Sequence, residues 1–181
     1  MENTFLNTKI DDSMHETAGE LLEALKKAMT EKSPAVNSYF RAVKNLGMGE
    51  FFPYIVEILK ETEESIYRQY GFQALSTIPQ DIDMVRKYIP DIMKMIESTD
   101  EPKVVYQGVL VLYRISKNHP ELDPLLNRKS ISISLPVFQD ALKLVNNLEK
   151  WEADFHKNSG VRSELRHPDT FLNFANQFIK L

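Results

Sequence analysis

The sequence predicts an all-α protein, a short right-handed α-solenoid of stacked helical hairpins with about seven or eight helices. Apolar residues recur at helical spacing along most of the 181 residues, of which 43% are apolar and 27% are charged. The stretch that begins at Phe52 returns in similar form from Ile89 onward. Strand-like alternation is found at residues 130–134, SISIS, and five residues are too few to carry a sheet.

The internal repeat aligns without gaps at an offset of 37 residues. The matched pairs are Pro53 and Pro90, Ile55 and Ile92, Ile58 and Met95, Leu59 and Ile96, Gly71 and Gly108, Ala74 and Val111, Leu75 and Leu112, and Ile78 and Ile115. Each copy is predicted to form a helix, a polar turn and a second helix. The clearest repeats span residues 50–80 and 87–117. A glycine inside a helix costs about 1 kcal/mol relative to alanine. The glycine shared by both copies therefore predicts a close approach of two helices.

The remaining segments are expected to add helices to the same single domain, residues 1–181. Gly47 is predicted to end the helix that precedes the repeats. Residues 118–136 are punctuated by prolines and are expected to form a loop. Two apolar helices, over residues 135–157 and 168–181, are then expected to cap the core.

The repeated hairpins resemble the HEAT-repeat family of α-solenoids. That family tends to open its second helix with Val-Arg and to continue through Ala-x-x-Ala-Leu. The residues that carry the resemblance are Tyr67, Arg68, Gly71, Ala74 and Leu75 in the first repeat and Val104, Val105, Gly108, Val111 and Leu112 in the second. Glu63 and Asp100 match the acidic residue of the family's turn, whereas the second repeat lacks the arginine. The resemblance covers residues 50–117 and implies a stack whose exposed face sets the function.

The charge distribution disfavours nucleic acid as the main partner. The net charge is −4. Acidic residues exceed basic ones by six in residues 1–100, and basic residues exceed acidic ones by two in residues 101–181. Phosphate binding usually needs a basic surface, so the acidic half suits a basic protein better. A HEAT-like nucleic-acid-binding protein stays open as an alternative, although the helices over residues 64–78 and 104–117 carry no lysine or arginine stripe.

The sequence contains no feature that predicts a membrane-inserted or secreted protein. No apolar run approaches the roughly 20 residues that cross a bilayer. The N-terminal residues lack the basic and apolar regions of a secretory signal. The chain contains no cysteine, which excludes disulfides and thiolate chemistry. We therefore expect a cytoplasmic protein.

Candidate catalytic groups are sparse. The four histidines share no metal-ligand spacing, and no glycine-rich phosphate loop is present, so we expect no metal, no cofactor and no enzymatic activity. One alternative stays open. Residues 162–167, RSELRH, resemble the Arg-x4-His motif of HEPN ribonucleases, in which Arg162 and His167 would act on the phosphate and the 2′-hydroxyl. Pro168 follows the histidine directly, whereas that family carries its motif within a helix.

The outward face of the second helices is the candidate partner-binding surface. It carries Arg68, Gln69, Gln73 and Ser76 in the first repeat and Val105, Tyr106, Leu110 and Tyr113 in the second. The candidate binding residues are Gln69, Gln73, Tyr106, Leu110, Tyr113, Arg114, Glu63, Glu64 and Asp100. Tyrosine and arginine are favoured at interface hot spots, and carboxylates would guide a basic partner. An alternative interpretation packs the tyrosines against the helix over residues 135–157.

Together these features predict a non-enzymatic protein–protein interaction module with a basic protein partner. A small, acidic, cysteine-free helical protein suits the role of a neutralising partner. Some immunity proteins that neutralise bacterial toxins are built from HEAT-like repeats, and an acidic surface would suit a nuclease-type toxin. The immunity hypothesis is an analogy of class and charge rather than a motif match.

Overall fold

The structure of the chain, a computed structural model, describes residues 12–128, 133, 136–141, 143, 144, 174 and 175, with side chains over 17–126 and at the later residues of this set. The helices are α1 Asp12–Thr30, α2 Val36–Leu46, α3 Phe51–Glu61, α4 Ser65–Leu75, α5 Ile82–Glu97, α6 Pro102–Asn118 and α7 Asp123–Arg128, with a 3₁₀ helix, Pro120–Leu122, before α7. No strand occurs in these residues. The predicted all-α class and the helix count are therefore confirmed.

Consecutive helices pair as the hairpins α1–α2, α3–α4 and α5–α6, and the hairpins pack side by side. α4 contacts both α2 and α6, while α3 packs against α5. Apolar residues at helical spacing form a continuous core, with Phe40, Phe52 and Phe72 among its fully buried side chains. The right-handed, HEAT-like sense of the stack stays a prediction.

The two shared glycines, 37 residues apart in sequence, occupy equivalent positions in the structure. A Cβ built on Gly71 would lie 2.6 Å from Leu59 Cδ1, and a Cβ built on Gly108 would lie 2.8 Å from Ile96 Cδ1. Leu59 and Ile96 are themselves a matched pair of the repeat. The same residue of the first helix thus fills the space beside the glycine in both hairpins, which is the close approach that the sequence predicts.

The turns inside the two hairpins also share this register. Thr62 Oγ1 accepts a hydrogen bond from the Glu64 backbone N–H at 3.2 Å, and Thr99 Oγ1 accepts one from Glu101 N–H at 3.2 Å. The next helices begin at Ser65 and at Pro102, again 37 residues apart. A hydroxyl that holds the last amide before a helix fixes the entry of the chain into that helix. The sequence had indicated only the acidic residues of this turn.

The two hairpins differ in how their first helices begin. Pro53 lies in the first turn of α3, where a missing N–H costs nothing. α5 instead begins at Ile82, because the Asp81 carboxylate accepts hydrogen bonds from the N–H groups of Asp83 and Met84. Pro90 therefore lies inside α5, where it cannot donate to the carbonyl one turn back. α5 thus extends upstream of residue 87, the expected start of the second repeat.

The segments that flank the repeats match the sequence in part. Gly47 ends α2 in the left-handed region at φ 60°, and its N–H donates to Val43 O, as expected. The expected loop over residues 118–136 instead contains the 3₁₀ helix and α7, which are held by Leu122 and Leu126, each 1% exposed. These two apolar anchors make the segment helical despite its prolines.

The two expected capping helices are described only at a few residues. Within the first, residues 136–141, 143 and 144 are helical, and Phe138 and Ala141 are buried. Within the second, Phe174 and Ala175 are helical and buried. The other residues of 135–157 and 168–181 lie outside the described part of the chain, as does most of SISIS.

Candidate functional site

Five candidate residues form a surface that we call the α4–α6 face: Gln69 and Gln73 on α4, and Tyr106, Leu110 and Tyr113 on α6. The two helices pack against each other, so the five residues lie on neighbouring ridges. Gln73 is exposed and the other four are half-buried. Tyr106, Leu110 and Tyr113 pack with their inner atoms against the core. The α4–α6 face is therefore partly packed against the core and partly exposed to solvent.

Tyr113 contacts a residue of the C-terminal segment. Its ring lies 5.5 Å from the ring of Phe174, in an edge-to-face arrangement with an interplanar angle of 61°. Such a pair stabilises the fold by about 0.5–1.5 kcal/mol beyond area burial. This contact favours a packing role for Tyr113. Its described partner, Phe174, belongs to the second expected capping helix, whereas the alternative interpretation named the helix over residues 135–157.

Arg114 reaches the end of α4. Its Nη1 donates a hydrogen bond of 2.6 Å to the carbonyl oxygen of Ser76, the C-terminal cap residue of α4. A cation at a helix C-terminus satisfies an orphan carbonyl and complements the helix dipole. This contact gives Arg114 a structural role, and its expected part in partner binding stays a prediction. Ser76 and Val105, both expected on the outward face, are instead buried, at 6% and 0% exposure.

Arg68 makes a comparable link between the second and third hairpins. Its Nη1 donates to Ser98 Oγ at 3.1 Å, and Ser98 Oγ donates in turn to the Met95 carbonyl. Ser98 is the C-terminal cap residue of α5. The arginine that carries part of the HEAT resemblance thus ties α4 to the turn between α5 and α6.

The three acidic candidates, Glu63, Glu64 and Asp100, lie exposed at the N-terminal ends of α4 and α6. Carboxylates there are favoured by the helix dipoles. Glu64 also forms an ion pair of 2.8 Å with Lys32 in the α1–α2 turn. The hydrogen bond to Glu64 and its charge raise the pKa of Lys32 above the usual range. Part of the acidic edge is thus neutralised within the chain.

Two residues that the sequence reasoning missed extend the face along α4. Ile66 is 44% exposed, and Tyr70 is half-buried. With Gln69 and Gln73 they follow the helical spacing of one stripe, positions 66, 69, 70 and 73. Comparison of the two repeats does not single out Ile66, because the matching residue of the second repeat is the polar Lys103. The helical spacing alone would have found it.

The described histidine and carboxylate side chains were candidates for metal binding or hydrogen bonding. They contain no group of three or more histidine, aspartate or glutamate side chains that could hold a metal ion. His119 Nε2 donates to the Gln80 carbonyl at 2.9 Å, which is a structural contact between the end of α6 and the α4–α5 turn. Arg162 and His167, the residues of the ribonuclease alternative, lie outside the described residues, and so does the side chain of His15.

None of the helices in the described part of the chain is both long and apolar enough to cross a membrane. No family model, curated protein or solved structure matched the chain. The HEAT resemblance accordingly stays a prediction.

Proposed function

We propose that the chain is a non-enzymatic protein–protein interaction module that binds its partner through the α4–α6 face. The observation that carries the proposal is the mixed character of this face. Ile66 on α4 and Leu110 on α6 expose apolar surface beside the amide side chains of Gln69 and Gln73. A well-packed apolar centre with hydrogen-bonding groups beside it is typical of protein interfaces.

The charge at one end of the face supports a basic partner. Glu63 and Asp100 are exposed where α4 and α6 begin, and the whole chain carries a net charge of −4. Complementary charge at a rim speeds association and selects the partner more than it adds affinity. A basic nuclease-type toxin, neutralised by an immunity protein, is the biological setting that fits this chemistry best.

Site-specific photo-cross-linking tests where the partner binds. A photoreactive phenylalanine analogue replaces Gln73 on the face, and in a control protein it replaces the exposed Lys94 on α5. We expect one basic protein to cross-link from position 73 in living cells and not from position 94. Equal cross-linking from both positions, or none from position 73, would contradict the assigned face.

Binding kinetics with the purified partner then test the energetics. Tyr106→Ala is expected to weaken binding by more than about 1 kcal/mol, chiefly through faster dissociation. Tyr54 is the matched control, because it is 55% exposed on α3 and lies outside the face. Tyr54→Ala should leave affinity unchanged. If Tyr106→Ala lowers the melting temperature but keeps the affinity, Tyr106 belongs to the core and not to the interface.

The ribonuclease alternative has an inexpensive test of its own. The purified protein is incubated with mixed RNA beside a His167→Ala variant. The proposed binding function requires that neither sample degrades RNA. Cleavage that disappears in the variant would overturn the proposal in favour of catalysis.

A further inference from the structure

The second helices of the three hairpins carry no carboxylate side chain. α2, α4 and α6 have 11, 11 and 17 residues, and none of these is aspartate or glutamate, although the two acids make up 26 of the 181 residues of the chain. α1, α3 and α5 each contain at least two. Because α4 contacts both α2 and α6, we call α2, α4 and α6 together the second-helix layer. Negative charge is thus kept out of one layer of an otherwise acidic protein.

Burial does not explain this pattern. Ionised side chains of both signs avoid the protein interior. The same three helices nevertheless carry six cations: Arg41, Lys44, Arg68, Lys103, Arg114 and Lys117. Four of the six are exposed, and they lie on α2 and α6: Arg41, Lys44, Lys103 and Lys117. The layer therefore has room for charge and lacks only the negative sign.

The helix dipoles explain only part of the pattern. Lys44 and Lys117 lie in the last turns of α2 and α6, where a cation complements the dipole. Arg41 lies in the interior of α2, away from the last turn. Carboxylates are favoured in the first turn of a helix, yet the first turns of α2, α4 and α6 contain none. The dipoles thus account for two lysines and not for the missing carboxylates.

The exposed cations are available to a ligand. In the part of the chain that the structure describes, none of the four forms an ion pair. In the first helices, by contrast, Lys60 pairs with Glu57 and Asp91, at 3.1 Å each. Gln69 and Gln73 lie on α4 between the two charged helices. The layer accordingly offers cations on its outer helices and amides, which both donate and accept hydrogen bonds, on its central helix.

An acidic polypeptide complements this arrangement better than a nucleic acid does. Separate carboxylates can meet separate cations, and main-chain groups can pair with the amides of Gln69 and Gln73. A polyphosphate gains its affinity from many cations along its path. α4, the central helix, supplies Arg68 alone, whose guanidinium donates to Ser98. The net charge of −4 further disfavours a polyphosphate.

We propose that the second-helix layer binds a polypeptide segment that presents carboxylates to Arg41 and Lys44 on α2 and to Lys117 on α6. The inference deepens the proposed function, on which the polypeptide source rests, by giving the partner a charge pattern. Basic groups of the partner lie beside Glu63 and Asp100, where α4 and α6 begin, and its carboxylates lie over the helices themselves. Two patches of opposite charge fix the orientation of the partner on the face.

Fluorescence anisotropy with short peptides tests the layer without the partner. The probes are capped hexaglutamate and hexaglutamine that carry a neutral fluorophore, titrated with the full-length protein at low ionic strength, where charges are least screened. We expect saturable binding of hexaglutamate that weakens as salt is added, and no binding of hexaglutamine. Because the protein carries a net charge of −4, an acidic peptide binds only where the local charge is positive. No saturable binding of hexaglutamate, or equal binding of hexaglutamine, would overturn the proposal.

Removal of charge from α2 locates the binding. Arg41→Gln with Lys44→Gln is expected to weaken hexaglutamate binding by about threefold or more. The control, Arg86→Gln with Lys94→Gln, removes two exposed cations from α5, which also carries carboxylates, and should weaken binding far less. All four side chains are exposed, so thermal melts of both variants should stay close to that of the parent protein. Equal weakening in the two variants, or none in the α2 variant, would contradict the assigned layer.

A nucleic-acid probe provides the last arm. Hexauridylate carries a similar number of negative charges on phosphates and should bind no more tightly than hexaglutamate. Binding about tenfold tighter or more would assign the layer to nucleic acid and refute the polypeptide source. These titrations do not use the cellular partner. Cross-linking at Gln73 without hexaglutamate binding would therefore leave the proposed function in place and refute the charge pattern alone.

Discussion

Leu59 occupies the space that a side chain at position 71 would need: a Cβ on Gly71 would lie 2.6 Å from Leu59 Cδ1. Leu59 is fully buried and cannot move aside at low cost. The second hairpin repeats the arrangement with Ile96 and Gly108. Close packing therefore favours glycine at both positions, although glycine has a low intrinsic helix propensity.

Gly71→Ala and Gly108→Ala are each expected to destabilise the protein by about 1–2 kcal/mol, because overpacking costs more than the gain in helix propensity. Chemical denaturation measures the change. Gly19→Ala is the control: Gly19 lies in α1 with nothing within 4 Å of a built Cβ, so alanine should stabilise by about 0.5–1 kcal/mol there.

Compensation should confirm the cause. Leu59→Val combined with Gly71→Ala is expected to recover part of the lost stability, since the two positions share one volume. Strict additivity of the two single changes would show that the glycine is needed for another reason.

The sequence predicted the core of the repeat well because a helical period alone determines which positions are buried. Gly71, Leu75 and their partners 37 residues on are all buried. It predicted the helix boundaries less well. The alignment of Pro90 with Pro53 located the second repeat at residues 87–117 but gave no start for its first helix, which the N-cap at Asp81 places at Ile82.

The candidate site was less predictable because its contacts join distant parts of the chain. The contact of Arg114 with the Ser76 carbonyl exists only once α6 lies beside α4. The contact of Tyr113 with Phe174 joins residues 61 positions apart in sequence. Periodicity places a residue on a face of its own helix, and it carries no information on which later segment covers that face.

Leu75 and Leu112 should be energetically equivalent. Both are 0% exposed and hold matching places in α4 and α6. Each change to alanine is expected to cost about 2–5 kcal/mol, through lost burial and the cavity that remains. Urea denaturation of the two variants measures the costs. A silent substitution at either position would show that the hairpins are not equivalent in the folded protein.

Tyr113 and Phe174 should be coupled in stability. Tyr113→Ala is expected to lower the free energy of unfolding by about 1–3 kcal/mol. A double-mutant cycle with Phe174→Ala should give a coupling of about 0.5–1.5 kcal/mol for the ring pair. A coupling of zero, together with a loss of partner affinity in Tyr113→Ala, would show that Tyr113 serves partner binding and not the packing of Phe174.

The acidic edge should act on the rate of association. Glu63→Lys and Asp100→Lys place positive charge where α4 and α6 begin, so a basic partner should associate more slowly and with a weaker dependence on salt. Dissociation should change little, because rim charges act mainly on the encounter. Stopped-flow association at several ionic strengths measures both effects. Glu64→Lys separates steering from folding, since it also removes the 2.8 Å ion pair with Lys32. It should therefore lower the melting temperature more than Glu63→Lys, which loses only the favourable interaction of its carboxylate with the α4 dipole. If Glu63→Lys and Asp100→Lys instead speed dissociation and leave association unaltered, these carboxylates bind the partner directly and do not steer it.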